Sequence, residues 1–117
     1  MKIFIAFLLS SVLLSACGQQ AVLRQQVVGD WFREQGVLRF APDGTSSCDL
    51  TNGIKIWRYR SVWELKDGAL IVRVTDVSMQ GTTNAESVGS IERLKLISVT
   101  DHTLTLETSG QTILWKR

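Results

Sequence analysis

The twelve residues Ile54-Lys55-Ile56-Trp57-Arg58-Tyr59-Arg60-Ser61-Val62-Trp63-Glu64-Leu65 decide how the rest of the chain reads. Their odd positions hold Trp57, Tyr59, Trp63 and Leu65, while Arg58, Arg60 and Glu64 sit on even ones. Successive side chains of a strand point to opposite faces, so a period of two predicts an extended segment with rings on one face and charges on the other. The stretch is long enough for one bent strand or two short ones. Turn chemistry bounds it on both sides, with Thr51-Asn52-Gly53 before and the hairpin signal Lys66-Asp67-Gly68 after.

The same pattern continues outward. Downstream, Ala69 to Ser78 sets Leu70, Val72 and Val74 against Arg73 and Thr75, and Glu86 to Thr100 opposes Leu94 and Leu96 to Arg93 and Lys95. Thr103 to Thr108 alternates threonine with Leu104 and Leu106, and Gln111 to Lys116 reads as a last strand. Upstream, Val27 to Glu34, Gly36 to Phe40 and Thr45 to Leu50 read as three more, the last two joined by Ala41-Pro42-Asp43-Gly44. Met79 to Ala85 is the longest loop. About eight short antiparallel strands predict an all-β fold. Their shared apolar face must be covered, and closing the sheet on itself covers it while removing exposed edges. The expectation is a small up-and-down barrel over residues 27–117, closed or incompletely closed, with a two-sheet sandwich as the competing arrangement.

The N-terminal segment is of another kind. Met1-Lys2 gives a positive start, Ile3 to Leu14 is apolar apart from Ser10 and Ser11, and Leu14-Ser15-Ala16-Cys17 follows. The run is short for a membrane span and has the form of an export signal. Leu14-Ser15-Ala16-Cys17 resembles the lipobox of bacterial lipoproteins. That resemblance implies cleavage of a signal peptide over residues 1–16, a thioether-linked diacylglycerol on the Cys17 sulfur and an acyl chain such as palmitate on its amine. The membrane partner would then be reached through the lipid anchor, with residues 17–26 as a lipidated tether. Nine extended residues after Cys17 would reach roughly 30 Å. Gly18 follows the lipidated position, which implies the outer membrane, facing the periplasm, where the source has two membranes.

Composition excludes several functions. Lys2 is the only charge in residues 1–16, so the remainder carries 12 basic against 11 acidic side chains, and neither nucleic acid nor an acidic polymer is implied as partner. Nine glycines and one proline suit strands and turns. With Cys17 lipidated, Cys48 has no partner in its own chain; it is a buried thiol or the site of an intermolecular bridge, burial being the simpler reading. His102 is the only histidine and falls in a turn, with no base to pair by sequence with Cys48 or a serine. The sequence holds no Gly-x-Ser-x-Gly, phosphate loop, dinucleotide fingerprint or His-x-x-x-His. No enzymatic activity, metal or cofactor is therefore expected.

Two groups of charges still require a reading. Asp76 and Glu92 continue the alternation of the apolar residues beside them, which would point both inward near one rim as an acid–base pair or a site for a cationic group; the simpler reading is two solvated strand ends. Arg39, Arg58 and Arg60 form either a basic stripe facing lipid phosphates or the solvated outer face of a barrel.

Val28-Gly29-Asp30-Trp31 at the head of an all-strand domain resembles the glycine-x-tryptophan opening of lipocalins and of the shorter lipocalin-like domains in bacterial lipoproteins. Phe40-Ala41-Pro42-Asp43-Gly44-Thr45 and Trp63-Glu64-Leu65 before Lys66-Asp67-Gly68 are similar to turns of the same domains. The resemblance implies that Trp31, given room by Gly29, plugs the closed end of the barrel under a cation supplied by Lys116 or Arg117. It departs from a full lipocalin, which is half as long again and carries a helix after its barrel. The functional expectation is a lipid-anchored envelope protein whose domain binds a small apolar ligand, with Trp57, Tyr59, Trp63, Asp76 and Glu92 as candidate ligand-binding residues, or acts as an envelope accessory. The alternative is a protein-binding module, an inhibitor or assembly partner, whose barrel is filled by its own tryptophans.

The anchor is directly testable: Cys17→Ser should abolish lipidation and leave the chain uncleaved or soluble, read by detergent partitioning and intact mass. An unmodified Cys17 in the native protein would refute the lipoprotein assignment.

Overall fold

The computed structural model describes residues 20–52, 55–79, 82–83 and 88–117. Cys17 and the segment before it lie outside the described residues. Nine strands run in order: β1 (Gly29–Arg33), β2 (Gly36–Phe40), β3 (Thr45–Asn52), β4 (Lys55–Lys66), β5 (Ala69–Met79), β6 (Thr82–Thr83), β7 (Ile91–Val99), β8 (Thr103–Thr108) and β9 (Gln111–Lys116). Every pairing is antiparallel. Leaving aside the two-residue β6, eight strands follow one another around a closed barrel, with β9 returning to β1. The expected all-β barrel is the fold, and the two-sheet arrangement is not. Residues 55–65 fall within β4, one strand of 12 residues, and Ile54 lies outside the described residues.

Two details of the strand reading need correction. The strand expected from Glu86 starts at Ile91, because Val88 and Gly89 make a turn in which the Gly89 N–H donates to the Val74 carbonyl (2.7 Å) at a φ of +90°. Within the loop expected over 79–85, Thr82 and Thr83 pair with Met79 and Ser78, and the rest of that loop past Met79 lies outside the described residues.

Strand direction gives the barrel two different ends. At one end lie the β2–β3, β4–β5 and β7–β8 turns, together with the start of β1 and the chain terminus. This end is closed. A helix over residues 20–27 lies against it, built from Gln, Ala, Leu and Arg, which favour helix, together with two valines. Residues 20–26 are thus part of the folded domain, not a free tether. Gln20 donates to the Leu65 carbonyl (3.2 Å), Arg24 donates to the Pro42 carbonyl (3.0 Å) and stacks 4.7 Å over the Trp63 ring, and Val27 is fully buried. Arg24 and Val27 are three apart and share a helix face, which explains why the helix docks on the barrel end.

Trp31 is fully buried beneath that helix, and its indole N–H donates to the Val27 carbonyl (2.8 Å), one of the acceptors that a helix end leaves without an internal partner. The Arg117 guanidinium lies 4.0 Å from the ring centroid on its face. Arg117 also donates to the carbonyls of Val28 (3.0 Å) and Asp101 (2.9 Å), tying the last strand to the helix end and the β7–β8 turn. Gly29, at a φ of +139°, makes this possible: a Cβ there would stand 2.9 Å from the Arg117 guanidinium. Around Trp31 pack Leu38, Phe40, Trp63, Leu70, Leu104 and Trp115. Phe40 and Trp63 meet edge to face at 5.1 Å, and the Trp63 N–H donates to the Ala41 carbonyl (2.9 Å).

Trp31→Ala should destabilise the domain by about 3–5 kcal/mol, as deletion of a buried aromatic usually does. That is a large share of the stability of a domain this small. A chemical-denaturation midpoint left unchanged would place Trp31 outside the core.

Candidate functional site

The opposite end of the barrel carries the β1–β2, β3–β4 and β8–β9 turns and the approach to β7. Toward it the interior is not filled. A cavity of about 430 Å³ lies among the inward side chains, within the range of small-molecule sites. Leu38, Phe40, Val72, Val74, Leu94 and Leu106 contribute to its apolar wall, and Leu38, Phe40, Leu106 and Trp115 are shared with the core cluster around Trp31. Trp115 lends a ring. The uncharged polar residues are Tyr59, Cys48, Ser90, Thr108 and the pair Ser46 and Ser61, whose hydroxyls hydrogen-bond each other at 2.6 Å. Both serines are buried, so this mutual bond spares them the cost of lying unpaired in an apolar wall. Only two lining residues are charged, Arg33 and Glu92.

The candidate ligand-binding residues are divided by the structure. Tyr59 and Glu92 line the cavity. Trp57 shares the inward face of β4, but it stacks on Tyr59 (6.5 Å, 16° between planes) and is not part of the cavity wall. Trp63 is buried in the closed end and is not part of it either. Asp76 faces the other way. The β4–β5 ladder pairs Arg60 with Asp76 but Ser61 with Val74, leaving Thr75 as an extra residue. One extra residue in a strand exchanges its faces. Leu70, Val72 and Val74 therefore face in before the bulge, Val77 is fully buried after it, and Asp76 is exposed opposite Arg60. The expected pairing of Asp76 with Glu92 is not assembled, since Glu92 stands opposite Val72. No group of three or more metal-ligating side chains occurs among the described residues.

Arg33, Cys48, Ser46, Ser61 and Trp115 are the residues that sequence reasoning did not assign to the site. Arg33 was within reach, lying two residues beyond Trp31 on the same strand and thus on its inward face. It lies 5.4 Å from the Trp115 ring centroid, holding that ring against the wall. Arg39, by contrast, is on the outer face with Asp30 (3.6 Å) and Asp49 (3.3 Å), which accounts for part of the basic stripe as ion pairs between exposed side chains.

Cys48 is half-buried in the cavity wall and forms no disulfide, a more accessible position than the packed core expected for it. Loss of water around the thiol, then the nearby charges of Asp49 and Glu92, push it up to about 11, with Arg33 acting in the opposite sense.

The fold has a known counterpart. The chain resembles the crystal structure of a lipocalin-like protein from Bacteroides uniformis ATCC 8492, with a TM-score of 0.60 at 13% sequence identity, over 79% of this chain and 98% of that one. No protein-family model and no curated protein matches it. The barrel is thus lipocalin-like in fold.

The environment of Cys48 predicts its reactivity. Because the native state holds this proton more tightly than the unfolded chain, its contribution to stability is complete below pH 9.0 and is lost as the pH rises toward about 11. Alkylation of the native thiol should keep accelerating past pH 10, whereas in denaturant it should level off near 9.0. Equal profiles in the two states would mean that the thiol is solvated.

Proposed function

We propose that this protein is a lipid-anchored envelope protein whose barrel binds a small, largely apolar molecule in its interior, without catalysis. The observation that carries the reading is the cavity of about 430 Å³, open toward one end of a barrel whose other end is plugged by Trp31. Apolar walls supply most of the binding free energy of such a site, and a few polar groups orient the ligand. A barrel filled by its own tryptophans would leave no such space. Of the four tryptophans only Trp115 borders it.

Lipid attachment at Cys17 would give the barrel an orientation. The helix from residue 20 lies on the closed end, and three residues span at most about 10 Å. The closed end would then sit beside the headgroups, with the cavity opening away from the anchoring leaflet. A ligand carried in this way would be presented to the periplasm if the outer membrane holds the anchor.

A second reading, the protein-binding module, is favoured by one observation. Phe32, Ile97 and Leu114 are large apolar side chains on β1, β7 and β9 that are each nearly half exposed, at 47%, 46% and 48%. Exposed apolar surface of this kind is what a partner protein covers.

An uncharged apolar dye should bind saturably and quench the fluorescence of Trp115, measured in variants that retain one tryptophan at a time, with much smaller effects on Trp31 and Trp63. Replacing Val72 with Trp should fill the cavity and weaken binding at least tenfold, about 1.4 kcal/mol. Dye binding that survives this substitution would locate the ligand elsewhere and reject the carrier.

A further inference from the structure

Both charged side chains of the cavity stand at its open end. Arg33 is the last residue of β1 and Glu92 the second of β7, and both side chains line the same space. They do not pair with each other, because the ion pairs among the described residues both belong to Arg39 on the outer face. Arg33 has a ring beneath it, Trp115, but no protein acceptor among the described residues takes its N–H groups. Glu92 likewise receives no hydrogen bond from a described residue, although its charge is felt at Cys48. One cation and one anion, both exposed and without an ion-pair partner among the described residues, therefore share the rim of a largely apolar cavity.

A ligand entering this mouth strips water from both groups, and each must then recover a partner or cost binding energy. An uncharged apolar molecule repays neither. An amphiphile with one negative charge would satisfy Arg33 and be repelled by Glu92, and one with a positive charge would meet the reverse. A zwitterionic head meets both with attraction. Resting on the carrier reading above, the geometry points to a zwitterionic amphiphile as the ligand class: an apolar chain in the cavity, an anionic group at Arg33 and a cationic group at Glu92. A phosphate ester of a lipid headgroup and a carboxylate betaine share this chemistry.

The test titrates the intact protein with decyl amphiphiles below their micelle thresholds: decanol, decanoate, decyltrimethylammonium, decylphosphocholine and N-decyl betaine. The zwitterions should bind about fivefold more tightly than decanol and more tightly than either singly charged probe, the gain expected from charge pairs at a partly exposed rim. Preference between the two zwitterions then separates a lipid headgroup from a betaine. Glu92→Gln should shift the preference toward decanoate, and Arg33→Gln toward decyltrimethylammonium, at unchanged thermal midpoint. If decanol or a singly charged probe binds as well as the zwitterions, the inference fails while the carrier stands. If no decyl probe binds, both fail. The ranking in the unaltered protein decides the matter even if a variant does not fold.

Discussion

The contact between the Arg117 guanidinium and the face of Trp31 is the constraint on which the barrel depends. Closing eight strands requires the last to meet the first, yet β9 and β1 share a single register pair, Phe32 with Lys116. Little of that seam is held by ladder hydrogen bonds. Arg117 holds it by other means, since the same side chain covers the Trp31 ring and donates to the Val28 carbonyl just ahead of β1. Trp31 in turn donates to the helix end at Val27. Ring, cation and helix thus fix one another at the closed end. The glycine at position 29 is the condition for this arrangement, because the space a Cβ would occupy is taken by Arg117.

Most of the fold was legible from alternation, and the reason is physical. With one face buried, each strand must keep its apolar residues on one parity, so eight segments of period two bounded by turn residues leave few arrangements other than a barrel. The plug was legible too, through four residues, Val28 to Trp31, and a terminal cation. What alternation cannot reveal is an extra residue. Thr75 looks like any strand threonine, but as a bulge it reverses the faces of everything after it, which is why Asp76 points outward although the pattern aimed it inward. A second such residue, Ile97, separates Leu96 from Val99 on the inner face and leaves its own side chain exposed. Bulges arise from how two strands twist against each other, and a single strand's composition does not record that.

The candidate site was legible only in part for a related reason. Tyr59 and Glu92 could be placed because their parity survives, whereas the division of the tryptophans between core and cavity depends on height along the barrel. Trp63 and Trp115 both face inward and belong to the core cluster, but Trp63 lies by the β4–β5 turn and is absorbed wholly into the closed end, while Trp115 also borders the space above it. Height follows from the stagger between strands, a property of the closed sheet as a whole. The docking of the helix over residues 20–27 was missed because its docking face is set by Arg24 and Val27 meeting a barrel end that no local pattern describes.

The plug and the cavity accordingly occupy opposite ends of one barrel. Of the six large side chains that are fully buried, Val27, Trp31, Phe40, Leu70 and Leu104 gather below the cavity, and of these only Phe40 forms part of its wall, while the sixth, Val77, lies toward the open-end terminus of β5. A cavity forfeits the dispersion contacts its lining would otherwise make, so the open half of the barrel contributes less to folding than its apolar composition suggests. The plugged half compensates, through a close-packed cluster of rings and a cation shared by three segments of backbone. On the proposed carrier reading, the rim, where Arg33 and Glu92 stand, is the part of the molecule whose charges answer to what enters and not to what must fold.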